Sequence, residues 1–325
     1  MRKQGHIIDL HCDTLFKIQE ERGDFRQLFE NRRCLDVSRL KQSGYWLQFF
    51  AAFVEADTLP AETAMEQGFQ NVMEMFDIFD QACAYQPERL CKITSRQSAE
   101  NARETGKIGG ILTVEEGGII NGKIRRIDRL YERGVRLITL LWNFENCMGY
   151  PNSKEASVME KGLKKFGIET VEYMEQKGIL IDVSHMNDGG FWDVVKHTKK
   201  PFVASHSNCR ALASHPRNLT DEMLKTIGDR GGIVGLNFCP VFLTEDGAYG
   251  SIASMISHVR HMIKVAGEDA VAIGTDFDGF PEPVEISHAG QMHLLIQALE
   301  RNGFTSGQID KIMWKNAWRV ISDRI

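Results

Sequence analysis

The sequence lacks the features that mark membrane-spanning, exported and nucleic-acid-binding proteins. It contains no run of roughly 18 apolar residues, the length that a transmembrane helix requires. The start, MRKQGHIIDLHCDT, has no apolar signal segment with a cleavage site, and no hydrophobic tail closes the chain. The net charge of −5 argues against a surface for nucleic acid or another polyanion. We therefore expect a cytoplasmic protein that binds neither membrane nor nucleic acid.

Cysteine pairs at metal-binding or redox spacing are also missing. The seven cysteines are scattered, their number is odd, and no C-x-x-C occurs. They are Cys12, Cys34, Cys83, Cys91, Cys147, Cys209 and Cys239. This arrangement predicts reduced thiols and argues against a disulfide framework or a zinc ribbon.

What the chain does contain is eight apolar runs of strand length without clean polar alternation. They cover residues 6–13, 45–53, 109–115, 135–142, 178–185, 201–206, 232–238 and 270–276. Continuous apolar runs are typical of strands buried on both faces of a parallel sheet. Segments with helical spacing of apolar residues separate most of them, at 60–82, 155–177, 219–229 and 251–266. Eight strands alternating with helices predict an α/β fold, a (β/α)8 TIM barrel.

The chain is interpreted as a single domain, residues 1–325, because barrels of this length are common as one domain. The apolar fraction of 42% is enough for a large core. Segments 14–44 and 54–108 are longer than one crossover needs and are interpreted as extra helices and loops. Helical stretches at 288–302 and 305–321 are predicted to form a C-terminal tail that covers the barrel.

Metal-binding residue types recur at the ends of the predicted strands, where such barrels carry their active sites. These residues are His11, Asp13, Glu115, Glu116, His185, His206 and Asp276. His11 and Asp13 are two apart and therefore point to the same side of a strand. Imidazole nitrogen and carboxylate oxygen suit a divalent metal such as zinc. This recurrence on one rim favours a metal site over chance.

A pair of metal ions would account for this set of residues. Two cations about 3.5–4 Å apart need an anionic bridge, which Glu115 or Glu116 is placed to supply. A water or hydroxide between the ions becomes nucleophilic near neutral pH. Asp276 would take its proton and pass it to a leaving group. The remaining ligands divide between the ions, His11 and Asp13 on one, His185 and His206 on the other.

Each of these residues also has a structural explanation. His185 or His206 could be a buried histidine with a backbone partner, and Asp276 could cap the following segment. Cys209 near His206 suggests a Cys/His nucleophile, but no orienting third group is evident. The other histidines lie off the strand ends, where surface roles are expected for most of them: His6, His197, His215, His258, His261, His288 and His293.

Seven stretches together resemble the membrane dipeptidase (renal dipeptidase) family of metallopeptidases. In chain order they are DLHCDT, VEEGG, LYERGVRLITL, IDVSHM, ASHSNCRALASHPRN, VGLNF and IGTDFDG. They follow the family's order and span nearly the whole chain. The resemblance implies a (β/α)8 barrel that holds two zinc ions and hydrolyses dipeptides. It also implies a homodimer, and the missing leader and tail favour a soluble, microbial-type member.

The resemblance assigns roles to residues of this chain. Counting from Tyr131 places the family's bridging glutamate at Glu115 without a gap, but that glutamate usually precedes glycine, so Glu116 remains the alternative. The arginine of the family's substrate pocket matches Arg217, which would pair with the free carboxylate of the dipeptide. The family's acidic residue on strand eight matches Asp276. Its other metal ligands carry over to His11, Asp13, His185 and His206.

One position departs from the family. Mammalian members carry a histidine at the end of strand four that is thought to contact the tetrahedral intermediate, whereas this chain has Trp142 followed by Asn143. An indole N–H can donate a hydrogen bond but cannot carry a positive charge. Asn143 would supply the oxyanion contact instead. The change bears on rate and substrate range more than on the fold or the metals.

We predict a zinc-dependent dipeptidase, and two rivals remain. The first is a barrel hydrolase of a cyclic amide, lactone or phosphoester. Many of these begin with His-x-His and bridge their metals by a modified lysine, whereas this chain has Asp13 and a strand-end glutamate. The second is a catalytically silent metal-binding homologue, which Trp142 alone supports and which Asp276 and Arg217 oppose.

Overall fold

The predicted barrel is present in the structure, a computed structural model that describes residues 6–325. Its strands are β1 (Ile7–Asp9), β2 (Tyr45–Phe53), β3 (Leu90–Lys92), β4 (Ile108–Glu115), β5 (Val135–Thr139), β6 (Leu180–Asp182), β7 (Val203–Ala204), β8 (Ile233–Leu236) and β9 (Val271–Ile273). All except β3 form a closed parallel barrel in the order β2-β1-β9-β8-β7-β6-β5-β4, which closes because β4 also pairs with β2. Each of the eight predicted runs overlaps one barrel strand, so the (β/α)8 fold class is confirmed.

The short strand β3 is the one that the sequence analysis missed. It pairs with the first residues of β4, Ile108–Gly110, whereas β5 pairs with the later residues Leu112–Glu115. The strand β3 therefore continues the sheet below β5 and does not enter the barrel. Of its three residues only Leu90 is fully buried. A segment this short, with two of its three residues only partly buried, leaves no apolar run that a sequence pattern could detect.

Most barrel strands are shorter than the apolar runs, and at the C-terminal ends these strands stop two to four residues before the runs do. The paired residues stop before the polar ones, so most candidate ligands stand in the first residues of the loops. Glu115 is an exception, because it is the last residue of β4 and pairs with Thr139 of β5. The ligands beyond the strand ends are His11 and Asp13 after β1, His185 after β6, His206 after β7 and Asp276 after β9.

Helices surround the barrel and fill the long early segments. The α-helices in the described residues are α1 (Thr14–Glu20), α2 (Val37–Gln42), α3 (Ala64–Tyr85), α4 (Arg96–Thr105), α5 (Arg125–Glu132), α6 (Ala156–Met159), α7 (Lys165–Lys177), α8 (Asp188–His197), α9 (Asp221–Asp229), α10 (Pro240–Leu243), α11 (Ile252–Ala266), α12 (Met292–Arg301), α13 (Ser306–Asp310) and α14 (Asn316–Ile321). Short 3₁₀ helices cover Phe25–Leu28, Ala56–Thr58, Gly117–Ile120 and Ala289–Gln291. A π-helical segment, Lys311–Lys315, joins α13 to α14. None of the helices within residues 6–325 is both long and apolar enough to cross a membrane.

The predicted helix over 155–177 is two helices, α6 and α7, and backbone hydrogen bonds explain the break. The Leu163 N–H donates to Asp193 Oδ2 at 2.8 Å. The Lys164 N–H donates to the Met148 carbonyl, also at 2.8 Å. These donors are directed at neighbouring segments, so the helix restarts only at Lys165.

The barrel wall beneath the ligands depends on two glycines that face one carbonyl. A Cβ on Gly235 of β8 would lie 1.9 Å from the carbonyl oxygen of Ser205, and a Cβ on Gly274 would lie equally close to it. Neither position accepts a side chain, because a contact that short is a clash with backbone. Since Ser205 directly precedes His206, the close approach holds one candidate ligand at a fixed depth in the barrel.

His258 on α11 is buried, whereas surface roles were expected for most histidines away from the strand ends. Its Nδ1 accepts the Cys209 N–H at 3.1 Å, and its Nε2 lies 3.1 Å from the Leu243 carbonyl oxygen. The ring must therefore be neutral, with the proton on Nε2. Burial lowers the pKa of His258 to about 4.

This pKa predicts a specific dependence of stability on pH. An unfolded chain protonates His258 near pH 6.5, whereas the folded chain does so only near pH 4. The contribution of the neutral ring is therefore complete above about pH 6.5 and is lost as the pH falls towards 4, by about 3 kcal/mol at most. We expect the difference in unfolding free energy between wild type and His258→Asn, from urea titrations, to shrink over this range. A difference independent of pH would contradict the prediction.

Candidate metal centre and active site

Three imidazole rings converge on the carboxylate of Glu115 at the C-terminal end of the barrel. Glu115 Oε2 lies 3.1 Å from His11 Nε2. Its other oxygen, Oε1, lies 2.9 Å from His185 Nε2 and 3.5 Å from His206 Nε2. The two oxygens thus face different histidines and divide the cluster into two halves. All four side chains are buried, with 7% exposure or less.

Two further carboxylates complete the half that contains His11. Asp13 Oδ2 lies 3.3 Å from His11 Nε2, and Asp276 Oδ1 lies 3.8 Å from the same nitrogen. The other oxygen of Asp13, Oδ1, is buried and has no hydrogen-bond partner among residues 6–325. Within residues 6–325, no lysine or arginine forms an ion pair with Asp13, Glu115 or Asp276. Burial opposes the protonation of His11, but Glu115 and Asp13 raise its pKa well above the usual value, so its proton supplies the positive charge that a bound cation would replace.

These donors fit divalent metal ions. His11, Glu115 and His206 can each place one ligand atom within 4.8 Å of the others, and so can His11, Asp13 and Asp276. Burial lowers the pKa of His185 to about 4 and also lowers that of His206. Both rings are therefore neutral at pH 7 and keep a lone pair for a metal. The mixed nitrogen and oxygen set is one that zinc accepts.

Outer hydrogen bonds orient two of the rings. His185 Nδ1 lies 3.0 Å from Asn143 Oδ1, and an amide oxygen can only accept, so Nδ1 carries the proton. His206 Nδ1 lies 2.7 Å from Ser205 Oγ, which in turn donates to Asp182 Oδ2 at 2.5 Å. In both rings the proton is thus on Nδ1 and the Nε2 lone pair faces Glu115. Such outer partners set tautomer and ring orientation in metal sites.

The backbone is strained around this cluster. Four non-glycine residues here have positive φ: Glu116 (78°), His185 (67°), Asp276 (63°) and Asp278 (70°). Elsewhere in the described residues only Arg22 and Asn121 share this conformation outside glycine. Positive φ is uncommon for residues with a side chain, and such strain concentrates at functional sites. The sharp turns allow the loops to direct polar groups back over the barrel.

The adjacent acid, Glu116, faces away from the cluster. Its carboxylate accepts hydrogen bonds from the Gly118 N–H (2.6 Å), the Trp142 N–H (2.9 Å) and the Asn146 side chain (2.6 Å). Burial raises its pKa to about 7. The geometry therefore favours Glu115 over Glu116 as a shared ligand, and Glu116 joins the loops after β4 and β5.

A cavity of about 310 Å³ opens above the cluster. Asp13, Glu115, His185 and Asp276 reach it. Its other lining side chains are largely aromatic and acidic: Phe16, Phe53, Trp142, Phe242, Phe280, Glu20, Glu55, Asp278 and Glu282, together with Lys17, Asn143 and Cys239. The Trp142 ring lies 4.8 Å from that of Phe53. Trp142 therefore lines the cavity.

Arg217 lies beside this cavity but is almost fully covered, with 3% exposure. Its guanidinium donates to Ser207 Oγ at 2.6 Å and to the His206 carbonyl at 2.8 Å, and it lies 5.5 Å from the ring of Phe242. Its Nε has no partner within residues 6–325, and no carboxylate there lies within ion-pair distance. A buried cation in this state is suited to an anionic ligand.

The sequence analysis did not include Asn237, which the structure brings to the site. Asn237 follows β8, and its side-chain amide donates to Asp276 Oδ2 at 2.9 Å. It lies in the run 232–238, so listing the polar residue at the end of every predicted strand would have found it. Asp182 was also missed, although a carboxylate inside an apolar strand indicates a buried polar partner.

Comparison with known proteins is consistent with this geometry. The family profile described as membrane dipeptidase (peptidase family M19) matches residues 1–324. The chain is 36% identical over 255 residues to an uncharacterized protein in the pqqA 5′ region of Klebsiella pneumoniae, covering 76% of this chain and 93% of that protein. It is 29% identical, over an alignment of 336 residues, to an uncharacterized dipeptidase of Schizosaccharomyces pombe. That alignment covers 98% of this chain and 80% of the relative. A Rhodobacter sphaeroides metallopeptidase, solved with a phosphinate mimic of the dipeptide L-Ala-D-Ala, superposes on this chain with a TM-score of 0.91 at 25% identity. The superposition covers 99% of this chain and 100% of the Rhodobacter chain.

Proposed function

Because this chain belongs to the membrane dipeptidase family, peptidase family M19, we propose that it is a zinc-dependent dipeptidase. The observation that carries the proposal is the carboxylate of Glu115, whose two oxygens face different histidine nitrogens at 3.1 and 2.9 Å. A shared carboxylate between two sets of neutral nitrogen and anionic oxygen donors is what a pair of cations requires.

The metal ligands proposed are those on the two sides of Glu115. His11 and Asp13 would hold one zinc ion, His185 and His206 the other, and Glu115 both. When bound, the ions would polarise the peptide carbonyl and lower the pKa of a water molecule enough for it to attack near pH 7. The orphaned oxygen of Asp13 supports this ligand set, because it lacks any other partner in the described chain.

The remaining side chains would bind the dipeptide and move its proton. Arg217 would pair with the C-terminal carboxylate and Asp276 would carry a proton to the leaving amine. Asn143 uses its amide oxygen on His185, which leaves its NH₂ group to donate to the substrate oxygen. The phosphinate dipeptide mimic bound by the Rhodobacter sphaeroides relative supports a pocket for two residues.

Glu115 also separates this proposal from its rival among barrel hydrolases. In that class a modified lysine often bridges the metals. Here Lys17, which lines the cavity, forms an ion pair with Glu20 at 2.9 Å. Glu115 therefore takes the bridging role in our proposal, and a dipeptide is favoured over a cyclic amide, lactone or phosphoester.

Metal analysis and a peptide assay test the proposal together. We expect about two zinc ions per chain by elemental analysis and hydrolysis of leucine-containing dipeptides. A chelator should abolish turnover, and added zinc should restore it, because metal binding displaces the protons that the ligands hold in its absence and is reversible. Tetrapeptides should not be cleaved internally. Metal without turnover of any dipeptide, or no metal after reconstitution, would overturn the proposal.

A further inference from the structure

The barrel order places the two ends of a bound dipeptide on opposite sides of the metal cluster. Arg217 lies against His206 and Ser207, which follow β7. The strand β2 is four positions from β7 around the eight-stranded barrel, and Glu55 follows it. A dipeptide with its carboxylate on Arg217 would therefore extend over the cluster towards the β1 and β2 side.

The site contains buried polar atoms that lack a partner, as expected of a ligand pocket. Arg217 Nε and Asp13 Oδ1 have no hydrogen-bond partner in the described part of the chain, and both side chains are more than nine-tenths buried. Asp13 lines the cavity directly. Arg217 Nε marks the end of the pocket that would take the ligand carboxylate, and Asp13 Oδ1 marks the metal side, where our proposal assigns it to a zinc ion.

Glu55 is the free acid at the β2 end of this pocket. It lines the cavity and is half-buried, and its carboxylate has no hydrogen bond or ion pair among residues 6–325. Its neighbour Glu20 is paired with Lys17 at 2.9 Å. A third acid, Glu282, lies across the cavity near Cys239, on the Arg217 side. On the β2 side, Glu55 therefore presents to a ligand a carboxylate that is not in an ion pair.

The space next to Glu55 is large enough for a long side chain. A second cavity of about 610 Å³ adjoins the first, and Phe16, Glu20, Phe53 and Glu55 line both. The rings of Phe16 and Phe53 meet edge to face at 4.9 Å and form an apolar floor between the cavities. An aliphatic stem can pack on this floor while its charged end stays at the carboxylate.

We propose that this enzyme prefers dipeptides whose first residue has a long, positively charged side chain, and that Glu55 is the specificity-determining residue. In the proposed pose the α-ammonium stays at the metal cluster, since it is bonded to the carbon next to the scissile carbonyl. In this pose the side chain of the first residue extends to the junction of the cavities. The inference rests on the proposed dipeptidase activity and names its substrate class.

The test compares L-Lys-L-Ala with L-norleucyl-L-Ala, which has a similar aliphatic stem without the ammonium group. We expect wild-type kcat/KM to favour Lys-Ala by about fivefold at low ionic strength, mainly through KM, as for a partly exposed ion pair. The ratio should fall towards one between about 0.02 and 0.5 M salt because of screening. Glu55→Gln should bring the ratio to about one at every salt concentration.

Glu145→Gln is the matched control. Glu145 is an exposed carboxylate after β5, pairs with Lys164 at 2.6 Å and lines neither cavity, so the variant should keep the wild-type ratio. A wild-type ratio near one, or a preference for Lys-Ala that survives Glu55→Gln, would overturn the inference. Turnover of norleucyl-Ala in the same assay would show that the dipeptidase activity itself stands. Loss of turnover on every dipeptide would overturn both.

Discussion

Replacing Glu115 with glutamine is expected to lower dipeptide turnover by about 10³-fold or more and to leave at most one metal ion per chain. The amide keeps the size of the side chain but offers one neutral oxygen where the carboxylate offers two anionic ones. Two cations a few ångströms apart then lose the bridge that offsets their repulsion. The loss corresponds to several kcal/mol of transition-state stabilisation. Elemental analysis and steady-state kinetics on one Leu-containing dipeptide measure both effects.

Glu116→Gln is the matched control for this variant. Glu116 is equally buried, but its oxygens accept N–H groups from Gly118, Trp142 and Asn146. An amide nitrogen in that place leaves at least one buried donor unpaired, which costs about 1–3 kcal/mol of unfolding free energy. We expect the variant to keep its metal and to be less stable. Loss of metal in Glu116→Gln, with metal retained in Glu115→Gln, would reverse the assignment.

The choice between these two acids illustrates what the sequence could not provide. Adjacent residues of a strand face opposite sides, so only one of Glu115 and Glu116 can face the barrel axis. Which one does so depends on the register of β4, and the pairing of β4 with β5 shifts between Leu112 and Thr113. Glu116 then leaves the strand with a positive φ. Neither event has a local sequence pattern.

The barrel itself was predictable because its cause is local. Strands buried on both faces need continuous apolar residues, and those runs end where the polar ligands begin. His11, His185, His206 and Asp276 could therefore be found by listing the polar residues at the C-terminal end of each run. The structure brings all four to one rim because parallel strands end on the same side of the barrel.

Residues that act through another side chain were much harder to find. Ser205, which directly follows β7, and Asp182 of β6 orient His206, and Asn143 orients His185 from the loop after β5. Ser205 and Asp182 are 23 positions apart, and Asn143 and His185 are 42 apart. Ser205 directly precedes His206, whose own pattern is the stronger one. Asn143 was expected to contact an oxyanion, and the structure adds that its oxygen already holds a metal-ligand candidate in place.

Asp276 has the environment of a proton carrier. It reaches the cavity, its Oδ1 lies 3.8 Å from His11 Nε2, and its Oδ2 accepts from Asn237. Burial raises its pKa to about 8, with His11 opposing and Asp13 adding to the rise. Cations beside it would lower this value towards neutrality. A carboxyl group that titrates near the working pH can both accept and release a proton.

Asp276→Asn is therefore expected to lower kcat by about 10²- to 10⁴-fold while metal content and KM stay close to wild type. An asparagine keeps the shape but cannot accept the proton. The control is Asp278→Asn, two residues along the same loop. Asp278 accepts from Thr14 Oγ1 (2.6 Å) and the Cys34 N–H (2.7 Å), so its loss should lower the unfolding free energy by about 1–3 kcal/mol and keep turnover within about tenfold. An Asp276→Asn protein with full metal content and an undiminished rate would remove this carboxylate from the mechanism. Glu115, the proposed bridging ligand, would then be the carboxylate left to carry the proton.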